Sequence, residues 1–332
     1  MGNRSEASAR RTFLRVMGGG VLGMPLISMS GAAETRPMRG VFPIGQTPVT
    51  PSGQLDLDCL QSEVRFCNRH GVHGFVWPQI ASGWDTLSER ERLSGAEAIL
   101  ASGRGGKTAL VIGVQDKDGN MDRSVAYAKH AARNGAGAII SLPPAKAGDQ
   151  STTDYYKAIG RATDLPLIVQ TRGDMSVDLV VEMFRQIPTM KCVKDEAGNP
   201  LARIRQIRER TQDRLAVFSG NGVRTMIDEM QLGFSGHCPT TALADFYAAT
   251  FDLWHAGKRR EAFDMFGRIQ AFNSITGAQA YLLTVRGIFK EDTKTRDSAG
   301  GRGGSASVPL DEPAKQAIRD AWNEFMKPHQ RG

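Results

Sequence analysis

The chain has 332 residues, 40% of them hydrophobic, which is enough to bury a large core in either two ordinary domains or one (β/α) barrel. The formal net charge is +7 at pH 7, and the first 33 residues contribute a net +3 of it. The remaining excess is weak, and no basic tract is interleaved with aromatic residues. A nucleic-acid partner is therefore not expected.

The N-terminus has the pattern of an export signal. Arg10 and Arg11 precede a stretch without charge over residues 16–29, and small residues follow at 30–33. The stretch is too short to span a membrane comfortably, and its four glycines disfavour the alternative, an amphipathic helix. The arginine pair resembles a twin-arginine signal. We therefore expect residues 1–33 to direct export to the periplasm, with no membrane contact after the signal is removed.

Export should depend on the arginine pair. Replacing Arg10 and Arg11 with lysine keeps both charges but removes the pair, so the protein is expected to stay in the cytoplasm. Cell fractionation with immunodetection measures this outcome, and Arg4→Lys serves as the matched control. Unchanged export of the double variant would contradict the twin-arginine assignment.

The cysteines and histidines give little support for a metal site. The chain has four cysteines and six scattered histidines, with no CxxC or HExxH motif. Cys59 and Cys67 fall on a predicted helix over residues 56–69, eight positions or about 12 Å apart. That separation is too large for a disulfide. We expect both cysteines to be buried thiols, and we expect no metal ligands.

Short apolar runs alternate with longer amphipathic stretches, which is the pattern of repeated βα units. Eight units in a row predict an α/β fold, a (β/α)8 TIM barrel over residues 39–254. A doubly wound open sheet is the alternative, but no GxGxxG motif follows the first strand. The predicted strands cover residues 40–49, 73–78, 108–114, 136–144, 165–171, 190–196, 214–221 and 233–239.

The last part of the chain, residues 255–332, is predicted to be a C-terminal helical extension. Helical periodicity is found over residues 257–272, 277–289 and 311–326. Before the last of these lies a charged and then glycine- and serine-rich segment over residues 291–309, whose composition predicts a mobile loop.

The run "MKCVKDE" ends a predicted buried strand with a lysine, Lys194, which is costly unless it is paired or neutral. Alternation along the strand places Cys192, Lys194 and Glu196 on one face, opposite Val193 and Asp195. In a barrel, reactive groups gather at the carboxyl ends of the strands. Lys194 is therefore either a desolvated, nucleophilic amine or the partner of a nearby carboxylate such as Glu196.

Several motifs over residues 39–290 resemble the dihydrodipicolinate synthase and N-acetylneuraminate lyase family, of which the chain looks like a divergent member. Their order and spacing carry the resemblance more than any single motif does. The motifs are "FPIGQTPVTPSGQLD", "GFVWPQIASGWDTLSERER", "NGAGAIISLPP", "ATDLPLIVQ", "CVKDEAG", "FSGNG" and "GFSG".

This resemblance implies that Lys194 forms a Schiff base with a 2-oxo acid, whose imine acts as an electron sink for aldol chemistry or dehydration. It also implies a homo-oligomer, a dimer or a tetramer, with no dissociable cofactor. Further residues at strand ends are predicted to bind the substrate. They are Thr47, Ser82, Gly83, Gln170, Thr171, Arg172, Asn221 and Cys238.

The chain departs from the family pattern where that pattern handles the substrate carboxylate and protons. The "GTTGE" loop reads "QIASG" here, the strand-five tyrosine is replaced by Gln170, and the tyrosine after strand four by Ala145. Loss of a proton relay costs about 10²–10⁴-fold in rate, so true dihydrodipicolinate synthase activity is not expected. Possible replacements for the relay are Ser82, Asp85, Thr171 and Glu196.

Two functions follow from these observations. The retained lysine favours a lyase or hydro-lyase of the aldolase or dehydratase type that acts on a 2-oxo acid. The missing threonines and tyrosines favour instead a non-catalytic exported protein that binds small carboxylates on a degenerate barrel.

Overall fold

The structure, a computed structural model, describes residues 38–220, 223–291, 293–296 and 310–330. Short strands alternate with helices along most of this length. The strands are β1 (Gly40–Val41), β2 (Pro48–Val49), β3 (Gly74–Trp77), β4 (Ala109–Gly113), β5 (Ala138–Ser141), β6 (Leu167–Gln170), β7 (Met190–Asp195), β8 (Ala216–Ser219), β9 (Gly236–His237) and β10 (Lys294–Thr295).

Eight of these strands form one parallel sheet in the order β1-β9-β8-β7-β6-β5-β4-β3. Ile44, just after β1, makes parallel bridges to Val76 of β3 and to Thr240. These bridges join the two ends of the sheet, so the sheet curls into a barrel. The predicted (β/α)8 TIM barrel is confirmed, and the open doubly wound sheet is excluded.

Helices follow the strands and cover the outside of the barrel. Several begin at a side chain that caps the free backbone N–H groups of the first turn: Asp56 accepts from Cys59 N, and Ser88 and Glu91 form a reciprocal capping box. The helices are α1 (Leu57–Arg69), α2 (Glu89–Ser102), α3 (Met121–Arg133), α4 (Asp149–Ala162), α5 (Val177–Gln186), α6 (Pro200–Thr211) and α7 (Met226–Leu232).

The core has two layers, one inside the barrel and one between the strands and the helices. On β7, Cys192 belongs to the interior cluster and Val193 to the outer one. This confirms the predicted alternation of faces. It also sends the side chain of Lys194 toward the barrel axis at the carboxyl end of the strand.

The predicted C-terminal extension packs onto the barrel through a buried ion pair. Arg286 contacts both carboxylate oxygens of Asp245, and its guanidinium stacks 4.6 Å from the ring centre of Phe66 and 4.4 Å from that of Trp322. α8 (Ala244–His255), which carries Asp245, is the eighth helix of the barrel. The extension's helices are α9 (Arg259–Asn273), α10 (Ala278–Val285) and α11 (Glu312–Asp320), which continues as a π turn over Ala321–Met326.

The segment predicted as a mobile loop, 291–309, is held at its start. Its residues Lys294 and Thr295 form β10, which pairs antiparallel with β2. The next residue, Arg296, contacts both carboxylate oxygens of Glu91 and, through that hydrogen-bonded pairing, lowers the pKa of Glu91 to about 2. Residues 297–309, like the predicted signal at 1–33, lie outside the described residues.

The pairing of β2 with β10 corrects the extent of the first predicted strand. Residues 40–49 form two short strands, β1 and β2, and only β1 belongs to the barrel sheet. The predicted eighth strand, 233–239, is likewise reduced to the two residues of β9. Within the described ranges, none of the helices combines the length and the apolar character that crossing a membrane requires.

A buried glutamate on α1 holds the chain between β1 and β2. Both carboxylate oxygens of Glu63 accept the backbone N–H of Gln46, at 3.0 and 3.1 Å. Burial raises the pKa of Glu63 to about 8, although the hydrogen bond from Gln46 opposes the shift. The folded protein therefore keeps a proton on Glu63 that the unfolded chain releases near its ordinary pKa of 4.5.

This difference predicts that Glu63 makes the protein less stable as the pH rises from about 4.5 to about 8. Over that window the unfolded state binds fewer protons than the folded state, so the free energy of unfolding falls, by up to about 5 kcal/mol. Denaturant unfolding at several pH values should show the free energy of unfolding of Glu63→Gln rising relative to that of the wild type as the pH rises. The exposed Glu209→Gln is the control, and a pH-independent difference between Glu63→Gln and wild type would refute the prediction.

Candidate active site

A cavity of about 220 Å³ opens at the carboxyl ends of the barrel strands. Lys194 and Glu196 from the end of β7, Gly220 after β8 and Cys238 after β9 line one side of it. This is the end of the barrel where enzymes of this fold place their reactive groups. The cavity is therefore the candidate active site.

Lys194 is almost fully buried and pairs with a carboxylate. Its Nζ lies 2.7 Å from Oε1 of Glu196, and Nε2 of Gln170 donates to the other oxygen, Oε2, at 2.6 Å. Gln170 and Lys194 are direct neighbours in the register between β6 and β7. The paired-lysine interpretation is thus the one the structure shows, and the pair places a proton acceptor in contact with the amine.

A glycine makes room for this pair. A Cβ atom on residue 220 would lie 2.0 Å from Oε1 of Glu196 and 2.7 Å from Nζ of Lys194. Any larger residue than Gly220 would therefore push the carboxylate and the ammonium apart or out of the cavity.

The outward face of the same strand end carries a structural network. Oγ1 of Thr171 donates to Asp195 Oδ1 at 2.8 Å and accepts from the backbone N–H of Glu196 and of Ala197. Arg203 Nε donates to the other oxygen of Asp195 at 2.9 Å. Substrate binding by Thr171 stays a prediction. In this structure its hydroxyl holds the backbone on which Glu196 sits.

The hydroxyl groups of Ser82 and Thr47 are likewise used within the fold. Ser82 Oγ donates to Gly45 O at 2.6 Å and accepts from Gln79 N, while Thr47 Oγ1 donates to Ser82 O at 2.6 Å. Both side chains are fully buried. Their contact with substrate stays a prediction. In this structure the two side chains fix the loop that presents Ile80 and Ala81 to the cavity.

Gly83 also serves that loop rather than the substrate. It has the left-handed conformation (φ 59°, ψ 40°) that ends the turn over Ile80–Ser82. Asp85, one of the candidate relay groups, follows in the next turn and does not line the cavity.

The remaining candidates are divided between the cavity and its surroundings. Cys238 lines the cavity, where burial raises the pKa of its thiol to about 12 despite the opposing charge of Lys194. Gln170 reaches the site through Glu196. Arg172 is exposed and lines a separate cavity with Lys146, and Asn221 lies outside the described residues.

Some residues of the cavity were not found from the sequence. Gln79 follows β3 after Pro78, a position near a strand end that could have suggested it. Tyr247 comes from α8 and Gln279 from α10 of the C-terminal extension, and neither has a local sequence signal. Burial raises the pKa of Tyr247 to about 12, although its hydroxyl accepts a hydrogen bond from Asn273.

Comparison with known proteins agrees with this architecture. Residues 37–291 match the dihydrodipicolinate synthetase family. The chain is 28% identical over 211 residues to 4-hydroxy-tetrahydrodipicolinate synthase of Alcanivorax borkumensis, covering 62% of this chain and 70% of that protein. It is 27% identical over 214 residues to the enzyme of the same name from Sorangium cellulosum, covering 62% and 69%.

Solved structures of low sequence identity share the fold. Dihydrodipicolinate synthase from Rhodopseudomonas palustris superimposes with a TM-score of 0.72 at 19% identity, covering 86% of this chain and 97% of that one. N-acetylneuraminate lyase from Mycoplasma synoviae gives 0.73 at 16% identity, covering 86% and 98%. With the family match over most of its length, the chain belongs to the dihydrodipicolinate synthetase family and is an enzyme of the Schiff-base lyase type.

Proposed function

We propose that the protein is a lyase or hydro-lyase that forms a Schiff base between Lys194 and the keto carbon of a 2-oxo acid. The observation that carries this proposal is the contact of 2.7 Å between Lys194 Nζ and Glu196 Oε1 inside the candidate active site. A primary amine needs a base to become nucleophilic. In this site the base is already in contact with it.

In the first half of the reaction, Glu196 takes a proton from the ammonium of Lys194, and the free amine adds to the ketone. The neutral carboxyl group of Glu196 then protonates the hydroxyl of the resulting carbinolamine, which leaves as water. The products are a protonated imine on Lys194 and a carboxylate on Glu196, so the carboxylate returns to its starting state.

In the second half, the protonated imine draws electrons from the bond beside it. In an aldol cleavage, Glu196 accepts the proton of the hydroxyl on C4 while the C3–C4 bond breaks and its electrons move into the enamine. In a dehydration, Glu196 instead accepts a proton from C3, which forms the enamine, and then gives that proton to the hydroxyl on C4, which leaves as water. The hydrogen bond of 2.6 Å from Gln170 orients the carboxylate for either step.

The reaction named for the relatives is not the one we assign. Gln170 and Ala145 stand where the family motifs carry tyrosines, and Ile80 and Ala81 stand where they carry the two loop threonines. Glu196 supports proton transfer without tyrosines, but the loop lacks hydroxyl groups for the synthase's substrate. An aldol cleavage or a dehydration suits the remaining groups better.

The same proposal includes location and assembly. The arginine pair at residues 10–11 and the uncharged stretch after it support export, and membership of a family of oligomeric enzymes supports a homodimer or homotetramer. The residues that form the proposed signal precede the family match, which begins at residue 37.

Borohydride trapping tests the proposed lysine. Incubation with pyruvate and borohydride should add one reduced adduct to the wild-type chain, located by peptide mass spectrometry on Lys194. Lys194→Ala should abolish the adduct, and Lys194→Arg should abolish it too, because a guanidinium stays protonated. The matched control is Lys191→Ala, which removes an exposed lysine of the same strand and should retain the adduct.

An adduct on another lysine, or one that survives Lys194→Ala, would contradict the assignment. If a 2-oxo acid binds but cannot be trapped, Lys194 acts as a counter-charge for the carboxylate, and the protein is a binding protein rather than a lyase.

A further inference from the structure

A second polar group in the candidate active site is held in one orientation, but one of its atoms makes no hydrogen bond to the described residues. The side chain of Gln79 lines the cavity and is 1% exposed. Its amide oxygen, Oε1, makes no hydrogen bond to any residue of the described ranges. A buried amide oxygen without a partner costs free energy, so a group that satisfies it would bind favourably.

The orientation of this amide is fixed by a chain of hydrogen bonds. Gln115 Nε2 donates to Pro78 O at 3.0 Å, and a carbonyl can only accept, so Gln115 must present its amide oxygen to Gln79. Gln79 Nε2 donates to that oxygen at 3.1 Å. The amide oxygen of Gln79 is therefore left as the free end of the chain. A flip of the Gln115 amide would break two hydrogen bonds, and a flip of the Gln79 amide would break its bond to Gln115.

Two further contacts hold this chain in place. Ser82 N donates to the main-chain oxygen of Gln79 at 2.8 Å, which fixes the backbone from which the amide side chain extends. A Cβ atom on residue 113 would lie 1.9 Å from Pro78 O, so Gly113 allows the close approach of β4 that brings Gln115 to its acceptor.

Another amide in the same cavity provides a contrast. Gln279 Oε1 accepts from Thr240 Oγ1, and its Nε2 donates to Asn273 Oδ1 at 2.8 Å. Both of its polar ends are therefore used inside the protein. Of the two cavity-lining glutamines, Gln79 alone offers an acceptor to a ligand in the described structure.

We infer that Gln79 accepts a hydrogen bond from a hydroxyl group of the substrate and so selects hydroxylated 2-oxo acids. This inference rests on the proposed function, because it concerns the same ligand. An ammonium group could also donate, but the protonated imine already brings one positive charge, which Glu196 balances. Burying a second cation costs desolvation free energy, whereas a neutral hydroxyl adds no charge.

Two pairs of ligands of equal size test the preference. Hydroxypyruvate is compared with 2-oxobutyrate, and 4-hydroxy-2-oxobutyrate with 2-oxopentanoate, so that a hydroxyl replaces a methyl group at C3 or at C4. Half-saturation is measured by borohydride trapping and, without borohydride, by thermal stabilisation of the protein. We expect the wild type to prefer the hydroxylated member of at least one pair by about tenfold.

The variants Gln79→Met and Gln279→Met separate a specific acceptor from a general effect on the cavity. The ratio of the half-saturation concentrations of the two members of a pair measures the preference. Gln79→Met should bring this ratio close to one, because a thioether is a weak acceptor. Gln279→Met changes an amide of the same cavity whose polar ends are already used, so its ratio should stay at the wild-type value. Gln115→Met, which frees the Gln79 amide to rotate, should lower the ratio only in part.

A wild-type ratio near one for both pairs, or a preference that survives Gln79→Met, would overturn the inference. A failure of the proposed function has a different appearance. In that case none of the acids, pyruvate included, is trapped on Lys194, while the preference for hydroxylated ligands is still measured by thermal stabilisation.

Discussion

The ion pair between Lys194 and Glu196 is the interaction on which the rest of the site depends. Removing one partner of a buried pair leaves an uncompensated charge, at a cost of about 3–5 kcal/mol. The fold supports the pair from three sides: Gln170 donates to the carboxylate, Thr171 holds the backbone of Glu196, and Gly220 leaves space for both side chains. The pair is thus costly to break and also able to react, since a proton can pass along its contact of 2.7 Å.

The absence of the family's tyrosines and the presence of this pair are complementary in the proposed mechanism. A tyrosine relay moves protons from a distance, whereas a carboxylate two residues beyond the lysine on the same strand face contacts the amine directly. The hydroxyl groups that remain nearby, on Ser82 and Thr171, form hydrogen bonds with backbone groups. In the proposed mechanism, proton transfer therefore depends on the strand that carries the lysine.

The barrel and the inward direction of the Lys194 side chain could be predicted from the sequence. Both follow from local periodicity, which is two residues in a strand and 3.6 residues in a helix. The pattern did not decide whether Lys194 is paired, and it did not show that the hydroxyl groups of Thr171 and Ser82 form hydrogen bonds within the fold. A hydroxyl at a strand end can satisfy either backbone or ligand, and sequence does not distinguish them. Gln279 and the pairing of β10 with β2 depend on contacts between residues far apart in the chain.

The central claim is that Glu196 carries the protons of a Schiff-base reaction at Lys194. Exchange of the methyl protons of pyruvate in deuterated buffer, followed by nuclear magnetic resonance, requires both the imine and a base beside it. For Glu196→Gln, which keeps the size of the side chain, the account predicts an exchange rate about 10²–10⁴-fold below that of the wild type. Exchange in this folded variant within about twofold of the wild-type rate would contradict the account.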